Sequence, residues 1–403
     1  MKVLHVTPAY LPAYRYGGPI QSVHALNKYL VRLGAEVTVY TTAMDGPGEL
    51  DVPLSTAAEL KPVERDGVQV CYFKPSWPRS WFYSRDMRDA LAAHAGEFDI
   101  VHITSVFLAA STLGARAARE AGKPYVISPR GSLMAAPLEK KSPLKKRLYM
   151  VLRERGNLEG AAGIHFTTEP EKAEYEKLGY RLRRAIVIPN GLDQDTLADG
   201  NPEVFRKKFG IPANKRIVLF LGRLNWKKGL DTLIPAFAPV AKENPEAVLV
   251  LAGGDDDNYR PAIEKMITAA GIQDKVVFTG PLAGADRTAA YRNAEIFVLP
   301  SYAENFGVAV VEAMYFGVPV IVSEEVALAS MVRESGAGLV VKKDTQELAG
   351  TMSDLLKDPA RLKAMGEHGI SLAANKFSYA KVAQGMLEAY REVIASRGVD
   401  KGR

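Results

Sequence analysis

Short apolar runs recur along the whole 403-residue chain, each followed by a stretch of helical periodicity, and this alternation restricts the fold more than any other feature. Val3 to Val6, Glu36 to Tyr40, Ile100 to Ile103, Tyr125 to Ser128 and Ile164 to Thr167 read as strands in the first half. In the second half the strands are Ile217 to Leu221, Val248 to Ala252, Val276 to Phe278, Ile296 to Leu299, Pro319 to Val322 and Leu339 to Val341. Such runs suit burial on both faces, and with helices between them they predict parallel sheets. The pattern restarts near Ile186, where Pro189-Asn190-Gly191 forms a turn suited to a hinge. A chain of this length exceeds one ordinary core, so the expectation is an α/β protein of two doubly wound Rossmann-like domains, residues 1–185 and 186–377, facing one cleft.

Composition removes several classes of function. Apolar residues make up 47% and charged residues 24%, as in a folded globular protein. No apolar run approaches the roughly 20 residues that span a bilayer, and the start Met1 to Pro8 is too short for a secretory signal, which predicts a cytoplasmic location. The single cysteine, Cys71, excludes an internal disulfide and reads as a small buried side chain. A net charge of +6 suits an anionic partner, but no basic stripe on a nucleic-acid module accompanies it, so no nucleic acid is expected. The charge concentrates in Lys140 to Arg153, where Leu144, Leu148, Val151 and Leu152 share a face opposite Lys140, Lys141, Lys145, Lys146 and Arg147. That is a basic amphipathic helix, suited either to ordinary packing or to an anionic membrane surface.

The densest signal runs from Pro300 to Met314. After the strand Ile296 to Leu299 come Pro300-Ser301-Tyr302-Ala303-Glu304-Asn305-Phe306-Gly307, and then an apolar helix closed by Gly317 with Pro319 beyond it. Glu304 falls in the loop and Glu312 about a turn and a half into the helix, so two carboxylates can flank one small ligand while the amides of Asn305, Phe306, Gly307 and Val308 offer a phosphate site. These residues resemble the family 4 retaining glycosyltransferases (glycosyl transferases group 1), whose glutamates stand in Pro-Ser-x-x-Glu-x-Phe-Gly and in the helix that follows. The resemblance spans nearly the whole chain. It implies the two-domain GT-B fold, with the last helix, about residues 378–403, crossing back to the first domain. It also implies a nucleotide-sugar donor, with Glu304 on the donor sugar and Glu312 on the ribose.

A second motif, Gly222-Arg223-Leu224-Asn225-Trp226-Lys227-Lys228-Gly229, follows the strand Ile217 to Leu221, at the carboxyl end where open parallel sheets bind ligands. It resembles the family's Gly-Arg-Leu followed by Lys-Gly, which assigns Arg223 and Lys228 to the donor diphosphate. Both cations can stabilise charge developing on the leaving nucleotide. The segment Phe278-Thr279-Gly280-Pro281-Leu282 resembles the one whose backbone edges the base, at Leu282. Asp255-Asp256-Asp257 after Gly253-Gly254 reads as a solvated turn, so no metal and no cofactor are expected.

On the other half, Gly17-Gly18 before Pro19 starts a helix and lets backbone approach a ligand. The resemblance places Gly17 and Gly18 opposite the donor phosphates. Where the family commonly has Ser-Pro-His-Gly, this chain has Ser128-Pro129-Arg130-Gly131, and arginine cannot act as a base near neutral pH. Arg130 is therefore assigned to an anionic group or hydroxyl of the acceptor. Among His5, His24, His102 and His165, which read as core histidines, His102 is the candidate for a cleft position.

The loop Lys74 to Tyr83 holds Trp77, Trp81, Phe82 and Tyr83, which can stack on sugars, sit at a bilayer interface or pin the loop to the core. The implied reaction is retaining hexosyl transfer by front-face departure to a glycan or lipid-linked acceptor in bacterial surface polysaccharide assembly, on a peripheral membrane protein. Alternatives are a nucleotide-sugar epimerase of the same fold and a non-catalytic nucleotide-sugar binder.

Overall fold

A computed structural model of the chain describes residues 1–134, 149–255 and 258–400. The chain divides into two compact units, Met1–Gly191 with Tyr379–Arg403, and Leu192–Ser378. The first is built on β1 (Lys2–Val6), β2 (Glu36–Thr42), β3 (Val68–Phe73), β4 (Ile100–Thr104), β5 (Tyr125–Ser128), β6 (Gly163–Phe166) and β7 (Ala185–Val187). These lie side by side in the order β7-β6-β5-β4-β1-β2-β3, all parallel, with Leu54–Ser55 and the antiparallel Val63–Arg65 added beside β3. The segment around Ile186, where the sequence pattern restarts, instead pairs with β6 as the last parallel strand of the first sheet. β3 carries the apolar pattern Val68, Val70, Tyr72, but Cys71 and Gln69 interrupt it, and it escaped the sequence reading.

The second unit is built on β8 (Arg216–Leu221), β9 (Ala247–Ala252), β10 (Val276–Gly280), β11 (Ala294–Leu299), β12 (Val320–Ser323) and β13 (Gly338–Val341), ordered β10-β9-β8-β11-β12-β13 and again all parallel. Both sheets thus show the doubly wound order in which the third, second and first strands precede the fourth, fifth and sixth. The helices that matter below are α1 (Gly18–Arg32), α2 (Leu230–Glu243), α3 (Gly284–Asn293), α4 (Val308–Tyr315), α5 (Pro359–Lys376) and α6 (Tyr379–Asp400).

Alternation along the first sheet sorts its strands between two cores. Leu4, Val6, Val101, Ile103 and Ile127 pack on one face, and Val3, Ile100 and Val126 on the other. The second face is covered by α1 and α6, through Val23, Leu26, Tyr379, Val382, Met386, Leu387 and Tyr390. Burying each such side chain is worth about 1.5–3 kcal/mol, which ties the end of the chain to the first unit. Cys71 is buried, and its thiol is pushed up to about 11 by that burial. Among the described residues no helix is long and apolar enough to cross a membrane. Residues 140–148 of the basic stretch lie outside the described residues; from Tyr149 the chain enters a π-helical turn, Met150–Glu154, and then the helix Arg155–Gly160.

Candidate active site in the second unit

Strand order reverses beside β8: β9 lies on one side and β11, with its returning chain, on the other. Ligand sites of doubly wound sheets form at the carboxyl ends flanking such a reversal. The two loops leaving β8 and β11 are the two motifs, and their backbones touch. Gly229 has φ 69°, and a Cβ there would stand 1.9 Å from the Pro300 carbonyl oxygen. A Cβ at Gly253, after β9, would stand 1.8 Å from the Gly222 oxygen. The Tyr302 N–H donates to the Lys227 carbonyl at 2.7 Å. Glycine is required at these points by contact, and the loops become one rigid rim.

On that rim the Lys228 ammonium pairs with the Glu304 carboxylate, both side chains about one-fifth exposed. Glu304 is held by its own backbone: its N–H donates to Glu325 and its carbonyl accepts from Ala327. Arg223 is exposed. Asn225 Oδ1 accepts from the Lys227 N–H at 3.1 Å and shapes the turn Trp226–Lys228 that presents Lys228. Gly307 (φ 84°) caps α4, whose first N–H groups have no intrahelical partner. Phe306 belongs to the core, edge-on to Phe377 at 5.7 Å, so it anchors the loop rather than lining a ligand surface. Asn305 and Val308 are partly buried beside it, and Leu282, after β10, packs partly against the same core.

Glu312 is 5% exposed. Its Oε2 accepts from the Tyr291 hydroxyl at 2.8 Å, and Arg287 Nη1 stands 3.4 Å from Oε1, both from α3. Burial pushes this carboxyl above the usual range, while Arg287 and Tyr291 pull it back. Glu304 and Glu312 therefore have different holders, the one a lysine on the rim and the other an arginine and a tyrosine beneath it. Arg287 and Tyr291 escaped the sequence reading, since neither stands in a recognisable motif. Asp255 accepts from the N–H groups of Tyr259 and Arg260, at 2.6 and 3.1 Å, and so serves the start of a helix; Asp256 and Asp257 lie outside the described residues. Among the described residues no group of three His, Cys, Asp or Glu side chains could hold a metal ion.

The first-unit candidates fare unevenly. Gly17 has φ 79° and caps α1, and a Cβ at either Gly17 or Gly18 would meet nothing within 4 Å. His102 is corrected: it lies fully buried in mid-strand, stacked on His5 at 4.5 Å and bonded to the Tyr390 hydroxyl of α6, because its register in β4 turns it to the covered face. Arg130 has φ 54° and is partly buried; its Nη1 donates to Asn190 Oδ1, while its Nε, shielded from solvent, has no hydrogen-bond partner. His5 is fully satisfied by Asn27 and Thr104. Trp77 does not pin the aromatic loop, being 87% exposed, whereas Trp81, 50% exposed, packs edge-on to Tyr149 at 5.7 Å.

Comparison with known proteins agrees with this layout. Residues 201–372 match the model described as glycosyl transferases group 1, and residues 17–191 the glycosyl transferase 4-like domain. A D-inositol 3-phosphate glycosyltransferase of Nocardia farcinica is 32% identical over 59% of this chain, a match spanning only 55% of that relative's length. One from Frankia alni is 25% identical over 98% of this chain and 100% of its own. The solved structure of Anabaena HepE with UDP and glucose superposes with a TM-score of 0.75 over 97% of this chain and 100% of that one, at 21% identity. Two doubly wound sheets with both motifs at one strand-order reversal, matched by family models over both units, place the chain in the glycosyl transferases group 1 family, as a glycosyltransferase of the GT-B fold.

Proposed function

We propose that the protein moves a hexose, with retention, from a nucleotide sugar bound by the second unit to a hydroxyl of a glycan or lipid-linked acceptor recognised by the first. The observation that carries this reading is the Lys228–Glu304 pair, set between exposed Arg223 and the start of α4, with Glu312 held on that same helix. In this reading Arg223, Lys228 and the α4 amides stabilise charge on the leaving diphosphate, so that no metal is needed. Glu304 accepts from the sugar hydroxyls, Glu312 from the ribose, and the backbone at Leu282 edges the base. The bound UDP of the Anabaena structure favours a uridine nucleotide.

On the acceptor side, open space at Gly17 and Gly18 and the exposed Tyr14, Trp77 and Trp81 are the groups available for recognition, with the partly buried Arg130 guanidinium as the candidate cation. We place the enzyme in the cytoplasm, in surface polysaccharide assembly, peripheral to the membrane through Lys140 to Arg153. The similarity to D-inositol 3-phosphate glycosyltransferases favours a second acceptor, a small phosphorylated polyol. Thermal stabilisation by UDP-, GDP- and ADP-sugars tests the donor, because a ligand that binds the folded state raises its apparent stability. No shift with any of them sinks the donor assignment. Turnover in excess EDTA tests the metal, and salt-sensitive sedimentation with anionic but not neutral vesicles tests the membrane.

A further inference from the structure

The Glu312 carboxylate is almost wholly removed from water, a state that favours its protonated form, yet only the ionised form leaves both oxygens free of a proton to accept from ribose hydroxyls. α3 resolves this conflict. It begins two residues after Leu282, and within two turns it delivers Arg287 and Tyr291 to the two carboxylate oxygens, at 3.4 and 2.8 Å. Tyr291 is itself fixed, stacked on Phe316 at 5.7 Å and tilted against Phe297 at 6.1 Å. The Arg287 Nε is shielded from solvent and has no hydrogen-bond partner.

We propose that Arg287 is a positioning residue of the nucleoside site: its Nη1 fixes Glu312 Oε1 while the Tyr291 hydroxyl fixes Oε2, so that the remaining lone pairs of an ionised carboxylate face the ribose. This rests on the reading of the second unit as a nucleotide-sugar site. Arg287 and Tyr291 are the groups through which Glu312 feels its charged and titratable surroundings. On its other side α4 meets α5 through glycine, a Cβ at Gly369 standing 3.3 Å from Met314. Among the described residues the guanidinium is therefore the cation that favours the ionised acid against its burial. Without it, the carboxylate form survives only at higher pH.

The test measures calorimetric affinity for UDP, and for the analogue lacking both ribose hydroxyls, from about pH 7.5 down to about pH 5.5. The terminal phosphate of both ligands titrates in this range, so the quantity read is the ratio of the two affinities, which wild type should hold even in favour of UDP. In Arg287→Gln that preference should fall about tenfold as pH falls. Arg287→Lys, which keeps the charge, should restore the even preference, and melting temperatures check folding independently; if Arg287→Gln does not fold, Arg287→Met, which also removes the charge, carries the test. If Arg287→Gln and Arg287→Lys both follow wild type while Glu312→Gln erases the preference for UDP, the positioning role is overturned and the ribose contact stands. If Glu312→Gln keeps the full preference, the ribose contact itself is wrong, and the role of Arg287 falls with it.

Discussion

The two units share one strand order and use it in opposite ways. At the carboxyl ends of the second sheet, glycines bring three loops into backbone contact and leave Arg223, Lys228 and Glu304 on the rim. Within the first sheet and at its corresponding ends, polar side chains turn inward. His5, His102 and His165 line the face under α6, and Glu154 is buried while accepting from the Phe107 N–H and from Ser111. Four non-glycine residues near these ends, Phe82, Ser105, Phe107 and Arg130, hold left-handed backbone, a strain that persists only where the surroundings fix it. Tyr14, Trp77 and Trp81 reach the surface there, beside the cations Arg15 and Lys74. Binding a diphosphate and a ribose demands the same few charges every time, whereas an acceptor surface can be built from shape and stacking, so only the former is confined to short motifs.

Substitutions at glycine should separate the two ends most sharply. Gly229→Ala forces a Cβ onto the Pro300 oxygen at a positive φ, and should destabilise the second unit by about 4 kcal/mol or prevent folding. Gly18→Ala meets open space and should move urea-unfolding stability by less than about 0.5 kcal/mol while lowering activity. Equal stability of the two variants in urea titration would break the contrast.

Next in size is the leaving-group clamp. Arg223→Ala and Lys228→Ala should each lower kcat by about 100-fold or more, roughly 3 kcal/mol of transition-state stabilisation, with circular dichroism unchanged. Wild-type turnover in both would remove the second unit's rim from the chemistry.

The buried histidines set a pH dependence that belongs to the first unit. Burial chiefly lowers His5 to about 4 and His165 to about 3, and holds His102 well below its usual value. Unfolding lets each take a proton near about pH 6.5, so stability is full above that pH and is lost as pH falls toward the folded values, by about 1.4 kcal/mol per pH unit per histidine. Hydrogen exchange corrected for intrinsic rates should show β1, β4 and α6 losing protection from about pH 6.5 to 5 while β8 and β9 hold. Parallel loss in both sheets would mean that the stack is not its source.

The smallest effect tests the exposed aromatics. Trp77→Ala should raise KM for the acceptor about threefold, near 0.7 kcal/mol, and leave KM for the nucleotide sugar unchanged. A rise in donor KM instead would place the loop on the wrong substrate.

Most strands of both sheets were legible because a strand buried on two faces must be apolar throughout, β3 being missed and the 185–187 strand read as a restart, and the two loop motifs stood out because glycines, cations and acids lie close together in the chain. His102 was misplaced for a reason of register: a histidine near a strand end reads the same whether it points to solvent or, as here, toward Tyr390, 288 residues away. Trp77 and Trp81 read equally well as anchors or as surface, and only packing distinguished them. Local patterning thus determined the elements, their parallel pairing and the chemistry of the loops. Tertiary structure decided which carboxylate lies on the rim and which beneath it: Glu304 and Glu312 have the same ionisable group, and only the placement of α3 gives one of them Arg287 and Tyr291 and removes it from solvent.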